Sequence, residues 1–374
     1  MNSTLPPRAL ADTLWLLTAR ARGGGHWLAN AECEFDAVSI AESVQPVSLQ
    51  NSSRPDQSYV VSPRSAWIHY AKDEALRHLS PTMSRLAGLA SACVFGPLSL
   101  LMTQCGLDRA ATVGNRLIST NLYPDWGDKA IQTLRHEMVE QHPDRPLMMR
   151  NICADVTPQL ASALHNSGWD LVPARIVYLC DPQTASIWKH NHVKQDAKLL
   201  VSGQFQLLTP EQITHADLAE CRALFRQLFI HKHSRLNPDF TPDFFELCLE
   251  TGFLDLYALR LEGKIVGVLG IYAPPESGWI TTPLIGYDTT LPAAAGVYRC
   301  LMALLLQQAR QRQSRLHYSS GASQFKRARG GRSSLEYTAI YSRHLSPKKR
   351  LANRLFAASL QQVAPGLLKK ADKL

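Results

Sequence analysis

The stretch SSGASQFKRARGGRSSLEYTAIYSRHL, from Ser319 to Leu345, decides the fold class of this chain. A preceding strand is expected to end at Ser320-Gly321, where small residues follow an apolar run. A short helix then carries Phe325-Lys326, and the glycine pair at 330–331 ends it. The residues that follow alternate in polarity and predict a further strand over 335–342.

Working outward from this stretch gives a regular order of elements in the second half of the chain. Thr209-Pro210 and Thr241-Pro242 each place an N-capping threonine before a proline, which suits the first helical turn. The expected elements are strand 203–208, two helices that begin at these pairs, strands 256–261, 265–272 and 279–287, helix 296–312, strand 316–320, helix 322–329, strand 335–342 and a basic helix from Pro347 to about Val363.

The first half of the chain repeats the end of the second half. After a strand at Asn115–Leu122, a helix, a strand, a helix and a strand are expected to begin near 127, 146, 157 and 172. Their counterparts begin near 296, 315, 322 and 335, so the offset stays between 169 (296 − 127) and 163 (335 − 172) residues. A near-constant offset predicts two copies of one supersecondary unit.

These elements divide the chain into four expected parts. They are an irregular N-terminal lead-in (1–54), an N-terminal domain (55–190), a C-terminal domain that carries the site (200–345) and a basic C-terminal helix (346–374).

Positive charge is concentrated at the C-terminal end. Residues 310–374 hold 15 Lys and Arg against two acids, Glu336 and Asp372, whereas the rest of the chain holds 25 against 29. Such a one-sided field attracts a polyanion. We expect the apolar side of the last helix, with Leu351, Leu355 and Phe356, to dock on the protein; the alternative is an anionic membrane surface.

The remaining composition is that of an ordinary globular protein. The chain has 374 residues, 45% of them hydrophobic, and its eight cysteines form no CxxC pair, which predicts reduced thiols in a cytoplasmic protein. No targeting segment is expected. The apolar stretch 86–102 is short for a membrane span and contains Gly, Ser and Pro, so it is expected to be buried in the core.

The order of strand, two helices, three antiparallel strands, helix, strand, helix and strand resembles the GCN5-related N-acyltransferase (GNAT) fold over residues 200–345. The stretch 319–345 also resembles the closing segment of the Fem-type peptidoglycan aminoacyltransferases, in which a glycine ends a strand and an FK pair follows. Leu228–Phe245 and Gly286–Thr290 resemble the same group. This resemblance, extended over 55–362, implies an α+β fold of tandem GNAT-like domains with a mixed, mainly antiparallel sheet flanked by helices.

The resemblance also implies a donor site. In acetyl-CoA-dependent GNAT proteins an (R/Q)xxGxG/A loop holds the pyrophosphate; Leu291–Arg299 lacks that glycine pattern but still ends at the start of a helix. Amide groups at such a start receive phosphates, and arginines bind them bidentately. The expected donor-binding residues are Gly296, Val297, Ser320, Gly321, Arg327 and Arg329.

Three side chains are predicted to take part in the reaction. Lys326, beside the Ser-Gly turn, would stabilise an oxyanion; the alternative is a solvated lysine. Asp288 would take a proton from the attacking group, unless it caps the turn at Thr289-Thr290. Tyr298 would donate to the leaving group, unless it packs in the helix core. No metal ligands are expected.

This resemblance implies an acyltransferase in which an amine or hydroxyl of a small-molecule acceptor attacks an activated acyl group directly. The donor is expected to be a thioester, on coenzyme A or on an acyl carrier protein, with no metal and no stable membrane insertion. An aminoacyl-tRNA donor, as in the Fem-type group, is the first alternative. A degenerate GNAT module that only binds a partner is the second.

Overall fold

The computed structural model describes residues 8–41, 43–51, 54–76 and 95–371. The helices are α1 (Arg8–Arg22), α2 (Tyr70–Leu76), α3 (95–105), α4 (Asp128–Gln141), α5 (Pro158–Asn166), α6 (Asn191–Leu200), α7 (His215–Arg226), α8 (Pro242–Thr251), α9 (Val297–Gln311), α10 (Ser323–Arg327) and α11 (Pro347–Ala371). The strands are β1 (Cys33–Ile40), β2 (Ser43–Gln50), β3 (Ala111–Val113), β4 (Leu147–Ile152), β5 (Asp170–Cys180), β6 (Gln206–Leu208), β7 (Asp255–Leu261), β8 (Lys264–Tyr272), β9 (Trp279–Tyr287), β10 (Arg315–His317) and β11 (Arg332–Tyr341).

These strands form a sheet in the order β1-β2-β3-β4-β11-β5-β10-β9-β8-β7-β6. The pairing is similar on both sides of the central β11–β5 pair. In each half consecutive antiparallel pairings lead to one parallel pair, which is β3 with β4 in the first half and β9 with β10 in the second. The first half has two antiparallel pairings, and the second has three because β6 adds one at the edge of the sheet. The expected α+β class, with tandem GNAT-like units and a mainly antiparallel sheet, is confirmed.

The two halves exchange their last strands. β5 comes from the first half of the chain but pairs with β10, and β11 comes from the second half but pairs with β4. β5 and β11 also pair with each other over most of their length, from Arg332↔Leu179 to Ile340↔Asp170. The parts of the sheet that belong to the two halves are therefore held together by a full antiparallel ladder.

The repeated element order is confirmed. Four elements in the first half, α4, β4, α5 and β5, are followed in the same order by α9, β10, α10 and β11. The later copies begin between 169 (297 − 128) and 162 (332 − 170) residues downstream. The offset predicted from the sequence is thus the spacing of two copies of one unit.

Close packing of helices on the second half of the sheet fixes the region around β9. A Cβ at Gly286 would lie 2.5 Å from the backbone nitrogen of Phe225, so α7 packs directly on the strand backbone. The helix α9 also packs closely on the sheet, because a Cβ at Gly267 of β8 would lie 2.8 Å from a methyl group of Val297. Glycine is needed at both positions because the helices approach so closely.

The expected irregular lead-in is wrong for the described residues between 8 and 50. Trp15 and its neighbours on α1 are buried, and Cys33–Ile40 and Ser43–Gln50 are paired strands of the sheet. Cys33 and Phe35, and again Val38 and Ile40, are buried at a spacing of two residues, and this spacing is the signal that indicates a strand there.

Three other predicted elements differ from the structure. Tyr59–Ser62 forms a turn, because the carbonyl of Ser58 accepts from the amides of Val61 and Ser62. Residues 115–122 form no strand, since Asn side chains bond their own backbone, as in the amide of Arg116 donating to Asn121 Oδ1 at 3.0 Å. The helix expected from Thr209 begins at His215, where Thr214 and Asp217 cap each other reciprocally.

α11 packs only part of its apolar surface. Ala352, Phe356 and Ala357 are buried against α3 and the central strands, whereas Leu351 and Leu355 are 60% and 52% exposed. The expectation that the apolar residues share one docked face is therefore wrong, because Leu355 and Phe356 lie 100° apart around the helix.

The apolar stretch 86–102 lies partly outside the described residues; its part from 95 onward belongs to α3, where Met102 is buried. Among the helices of the described ranges, none is both long enough and apolar enough to cross a membrane.

Candidate active site

The site is built where β9 and β10 part. The parallel ladder between them covers only three residue pairs and ends at Thr281 and His317. β9 continues to Tyr287 along β8, while the chain after β10 follows β5 instead: the amide of Tyr318 donates to the carbonyl of Tyr178 at 2.8 Å. The two strands therefore diverge at this point.

A strained turn follows β10 at the mouth of this gap. Ser319, Gly321 and Ala322 have positive φ angles of 60°, 78° and 49°. Two of these residues carry side chains, and such a conformation is costly for them. Ser320 and Gly321 are exposed. The turn thus presents its backbone groups to whatever enters between the strands.

Lys326 lies beneath this turn. Its side chain extends from α10, and its Nζ donates to the carbonyl of Ser320 at 2.6 Å and to that of Ser319 at 3.4 Å. Nζ also lies 5.6 Å from the centroid of the Tyr178 ring. An ammonium group has three N–H donors, so these two bonds leave one for a substrate oxygen.

The expectation of a solvent-exposed lysine is wrong. Lys326 is only 4% exposed. Burial, aided by the positive charge of Arg175, lowers the pKa of Lys326 from 10.5 to about 7. Desolvation disfavours the ammonium form, so this side chain titrates near neutrality, which suits a group that acts on a reaction.

A buried ion pair supports the turn from the centre of the sheet. Arg175 of β5 and Glu336 of β11 are register partners, and Arg175 Nε donates to Glu336 Oε1 at 2.6 Å. Glu336 is 1% exposed. Burial alone would raise the pKa of Glu336, but Arg175 and His317 outweigh it and lower that pKa to about 2.

This ion pair reaches the turn by two routes. Along the first, Arg175 Nη2 donates to Thr120 Oγ1 at 3.0 Å, and Thr120 Oγ1 donates to Ser319 Oγ at 3.1 Å. Along the second, His317 faces Glu336 through Nε2 and accepts the amide of Ser319 at Nδ1, at 3.1 Å. Burial lowers the pKa of His317, which fits a neutral ring that accepts at Nδ1.

Asp288 and Tyr298 make the contacts that the alternative predictions describe: Asp288 caps a turn, and Tyr298 packs against other side chains. Asp288 Oδ1 accepts from the amide and the hydroxyl of Thr290, at 2.9 and 2.7 Å, and these bonds lower the pKa of Asp288. Tyr298 packs between the rings of Tyr287 and Phe325, and burial raises its pKa to about 12. A general base works better with a raised pKa, but the pKa of Asp288 is lowered. A general acid works better with a lowered pKa, but the pKa of Tyr298 is raised. These contacts therefore favour neither predicted role.

The start of α9 is covered by α6. Gly296 is the left-handed N-cap of α9, and a Cβ there would lie 2.5 Å from a methyl group of Leu199. Asp196 of α6, which is buried, binds both Arg299 Nε and Arg329 Nε at 2.6 Å. A protein carboxylate therefore holds the two arginines nearest this helix start, and Arg329 is not available for a phosphate in this arrangement.

Three of the other predicted donor-binding residues lie after β10 and on α10, and the fourth is buried. Ser320 and Gly321 form the exposed turn, and Arg327 is exposed on α10 with its guanidinium carbon 5.6 Å from the Tyr178 ring centroid. Val297 is buried against Gly267. The structure thus brings Ser320, Gly321, Lys326 and Arg327 together, whereas Val297 is part of the core.

Sequence reasoning missed the ion pair beneath the turn. The signal that could have found Glu336 is its isolation, because it is one of two acids among 15 basic residues in 310–374. Arg175 gives no such signal, since its role arises only when β5 of the first half pairs with β11 of the second.

Both a protein family and a solved structure are similar to this chain. Residues 189–327 match the family described as "Acetyltransferase (GNAT) domain". The structure superposes on that of FemX with a TM-score of 0.52 at 9% sequence identity, over 91% of this chain and 97% of that one. None of the curated proteins compared with the chain matches it significantly.

Two further solved structures are similar at lower scores. L-PGS from Bacillus licheniformis gives a TM-score of 0.47 at 13% identity, over 96% of this chain and 99% of that one. A GCN5-related N-acetyltransferase from Kribbella flavida gives 0.33 at 13% identity, over 62% and 81%.

Residues 189–327 are thus similar to the GNAT domain family, and the chain as a whole shares its fold with FemX. Within the described ranges, no three His, Cys, Asp or Glu side chains come close enough to hold a metal ion.

Proposed function

We propose that the protein transfers an activated acyl group to an amine or hydroxyl acceptor at the gap between β9 and β10. The observation that carries this proposal is Lys326, a buried lysine whose Nζ sits under the strained turn at Ser319–Ala322. When the acceptor attacks the acyl carbonyl, negative charge develops on its oxygen. The remaining N–H of Lys326 stabilises that charge, and a buried donor is more effective there than in water.

Positioning of Lys326 is the task of the ion pair. Arg175 and Glu336 hold Ser319 through Thr120 and His317, and the carbonyls of Ser319 and Ser320 in turn hold Nζ. The backbone amides of the turn and the unpaired edge of β9 would orient the donor. The acceptor attacks directly, and the chain supplies orientation and electrostatic stabilisation rather than a covalent intermediate.

For the donor, the covered start of α9 argues against a coenzyme A diphosphate at that position. Leu199 fills the space above Gly296, and Asp196 already neutralises Arg299 and Arg329. A thioester on a carrier protein or an aminoacyl ester on tRNA needs no diphosphate contact there. The exposed basic residues of α10 and α11, such as Arg327, Lys348 and Arg354, suit a polyanionic carrier of either kind.

Among these carriers, charged tRNA is the second candidate that a specific observation favours, because the shared fold with FemX extends over nearly the whole chain. The resemblance of residues 319–345 to the Fem-type group points the same way. In this version the broken bond is the aminoacyl ester, and the leaving group is the ribose hydroxyl of the tRNA.

Ligand-induced stabilisation tests the donor class. Acetyl-CoA, an acyl carrier thioester and an aminoacyl-tRNA are each added to the protein, and thermal unfolding is followed. A ligand present at 100 times its Kd adds about 2.7 kcal/mol to the free energy of unfolding. We expect stabilisation by a carrier-borne donor and not by acetyl-CoA. Stabilisation by acetyl-CoA alone would contradict the inference from α6, and none by any donor would support the degenerate binding module.

A further inference from the structure

Arg150 has no carboxylate partner within the part of the chain that the structure describes. It lies on β4 and is half-buried. Its Nη1 bonds only neutral oxygens among the described residues, namely the carbonyls of Val60 and Ile118 and Asn115 Oδ1, at 3.3 to 3.4 Å. These bonds are long, and they use one end of the guanidinium group. A charge removed from water without a counterion is costly.

The nearby carboxylate does not meet this need. Glu336 Oε1 accepts from Arg175 Nε at 2.6 Å and from Asn151 Nδ2 at 2.9 Å, while Oε2 faces His317. Burial and the charge of Arg175 both lower the pKa of Arg150. Arg150 and Arg175 therefore both lie near Glu336, and Arg175 already binds that carboxylate.

Arg150 reaches the protein surface beside two aromatic rings. Its guanidinium carbon lies 5.9 Å from the Tyr59 ring centroid, and Tyr59 packs against Tyr70 at 5.3 Å. Tyr59, Tyr70 and Arg150 are all partly exposed, and the Arg175 side chain is 19% exposed. An aromatic wall beside two arginines is a setting in which a planar or tetrahedral anion can be bound bidentately.

We propose that Arg150, with Arg175 and the Tyr59 ring, binds an anionic group, a carboxylate or a phosphate, of the acyl acceptor. The acceptor's anion completes the charge balance, and its nucleophile extends toward Ser319. The connection is short, because Arg175 bonds Thr120 and Thr120 bonds Ser319. The role of this anion in the reaction rests on the proposed function, whereas its binding does not.

Binding of simple anions tests the site without any assumption about the reaction. Inorganic phosphate and acetate are titrated against the full chain at low ionic strength by calorimetry. Arg150→Gln removes the charge, and Arg150→Lys keeps it without the bidentate geometry. Arg145→Gln is the control, because Arg145 also bonds neutral oxygens, at 2.7 to 3.0 Å, but precedes the start of β4 and contacts other residues than Arg150 does.

We expect one anion site in the wild-type protein. Arg150→Gln should weaken it at least tenfold, Arg150→Lys less, and Arg145→Gln not at all. Tighter binding of phosphate than of acetate would identify a phosphorylated acceptor, and the reverse a carboxylate. Equal affinity in the wild type and in folded Arg150→Gln and Arg150→Lys variants, or no anion binding in the wild type, would overturn the proposal.

The two proposals can fail separately. Acyl transfer that proceeds with unchanged KM for the acceptor in Arg150→Gln would overturn the acceptor site and leave the acyltransferase intact. Anion binding that depends on Arg150 in a protein that transfers no acyl group would support the site and contradict the proposed function.

Discussion

The two halves of the sheet open at equivalent places, but only the opening of the second half keeps an exposed turn beside a buried lysine, among the described residues. In the first half β3 and β4 pair in parallel over three residues, as β9 and β10 do in the second. Two residues beyond each parallel pair, Asn151 and Ser319 adopt nearly the same positive φ, 61° and 60°. The scaffold and its strain are thus shared by both copies.

What fills each opening differs. In the first half the chain after β3 folds back into the gap, where Asn115, Leu117 and Asn121 are buried and Asn151 Oδ1 accepts from the amide of Asn121. In the second half the turn at Ser320-Gly321 stays exposed. The fourth residue of α10 is Lys326, whereas the fourth residue of α5 is Ala161.

This difference shows how a duplicated unit divides its tasks. The first copy has filled its gap with side-chain amides and supplies support, because Arg175 and Thr120 hold the turn of the second copy. The second copy keeps the open gap and the lysine. The exchange of β5 and β11 is what places the support of one half under the site of the other.

The largest expected effect comes from breaking the link between the halves. Glu336→Ala leaves Arg175 buried without its partner, and loss of one member of a buried pair costs about 3–5 kcal/mol of folding stability. Urea unfolding measures it. Glu250→Ala, at an exposed acid on α8, is the control and should change little. A loss below about 1 kcal/mol in Glu336→Ala would show that the halves do not depend on this pair.

The next effect concerns the lysine that only the second half has. Lys326→Ala should lower the rate of acyl transfer by about tenfold to a thousandfold, the scale seen when one oxyanion donor is lost. Lys129→Ala removes an exposed lysine from α4 of the first half, outside the proposed site, and should leave the rate unchanged. A well-folded Lys326→Ala protein with normal turnover would contradict the role given to Lys326.

Stability should also report the titration of Lys326. The pKa of Lys326 is about 7 in the folded chain against an ordinary value of 10.5, so the unfolded chain binds more protons between these values. Wild-type stability should therefore rise with pH from about 7 upward, by at most about 1.4 kcal/mol per pH unit, relative to Lys326→Met. Urea unfolding of both proteins at pH 7, 8 and 9 measures this; parallel curves would show that Lys326 is not desolvated.

The smallest effect concerns the basic surface. Lys348→Gln combined with Arg354→Gln removes two exposed charges of α11 and should weaken a polyanionic donor by about threefold to tenfold, with a shallower salt dependence. Arg20→Gln with Arg22→Gln removes two exposed charges of α1 and should have no effect. If both double variants weakened donor binding equally, donor affinity would depend on the total charge of the protein and not on the basic surface of α11.

Prediction from the sequence succeeded where local pattern decides the structure. The order of α9, β10, α10 and β11, and their repeat in the first half, follow from capping residues and apolar alternation. It failed at residues 115–122, where Asn side chains compete with the strand, and at Thr209, where Thr214 and Asp217 form the better cap.

For the site, the sequence located the turn and Lys326 but not their environment. Lys326 is buried against β5, which is a strand of the first half. Arg175, the partner of Glu336, also belongs to β5. Contacts that form because the two halves exchange strands do not depend on the spacing of residues along the sequence. They could not be predicted from one sequence read along its length.

The claim that the second opening alone receives the donor is tested most directly by amide hydrogen exchange. The protein is compared alone, with aminoacyl-tRNA and with acetyl-CoA, and the peptides spanning 318–327 and 114–122 are followed. The account predicts slower exchange at 318–327 with the donor that is turned over, and no change at 114–122. Slower exchange at 114–122 without any at 318–327 would contradict it and move the site to the first half.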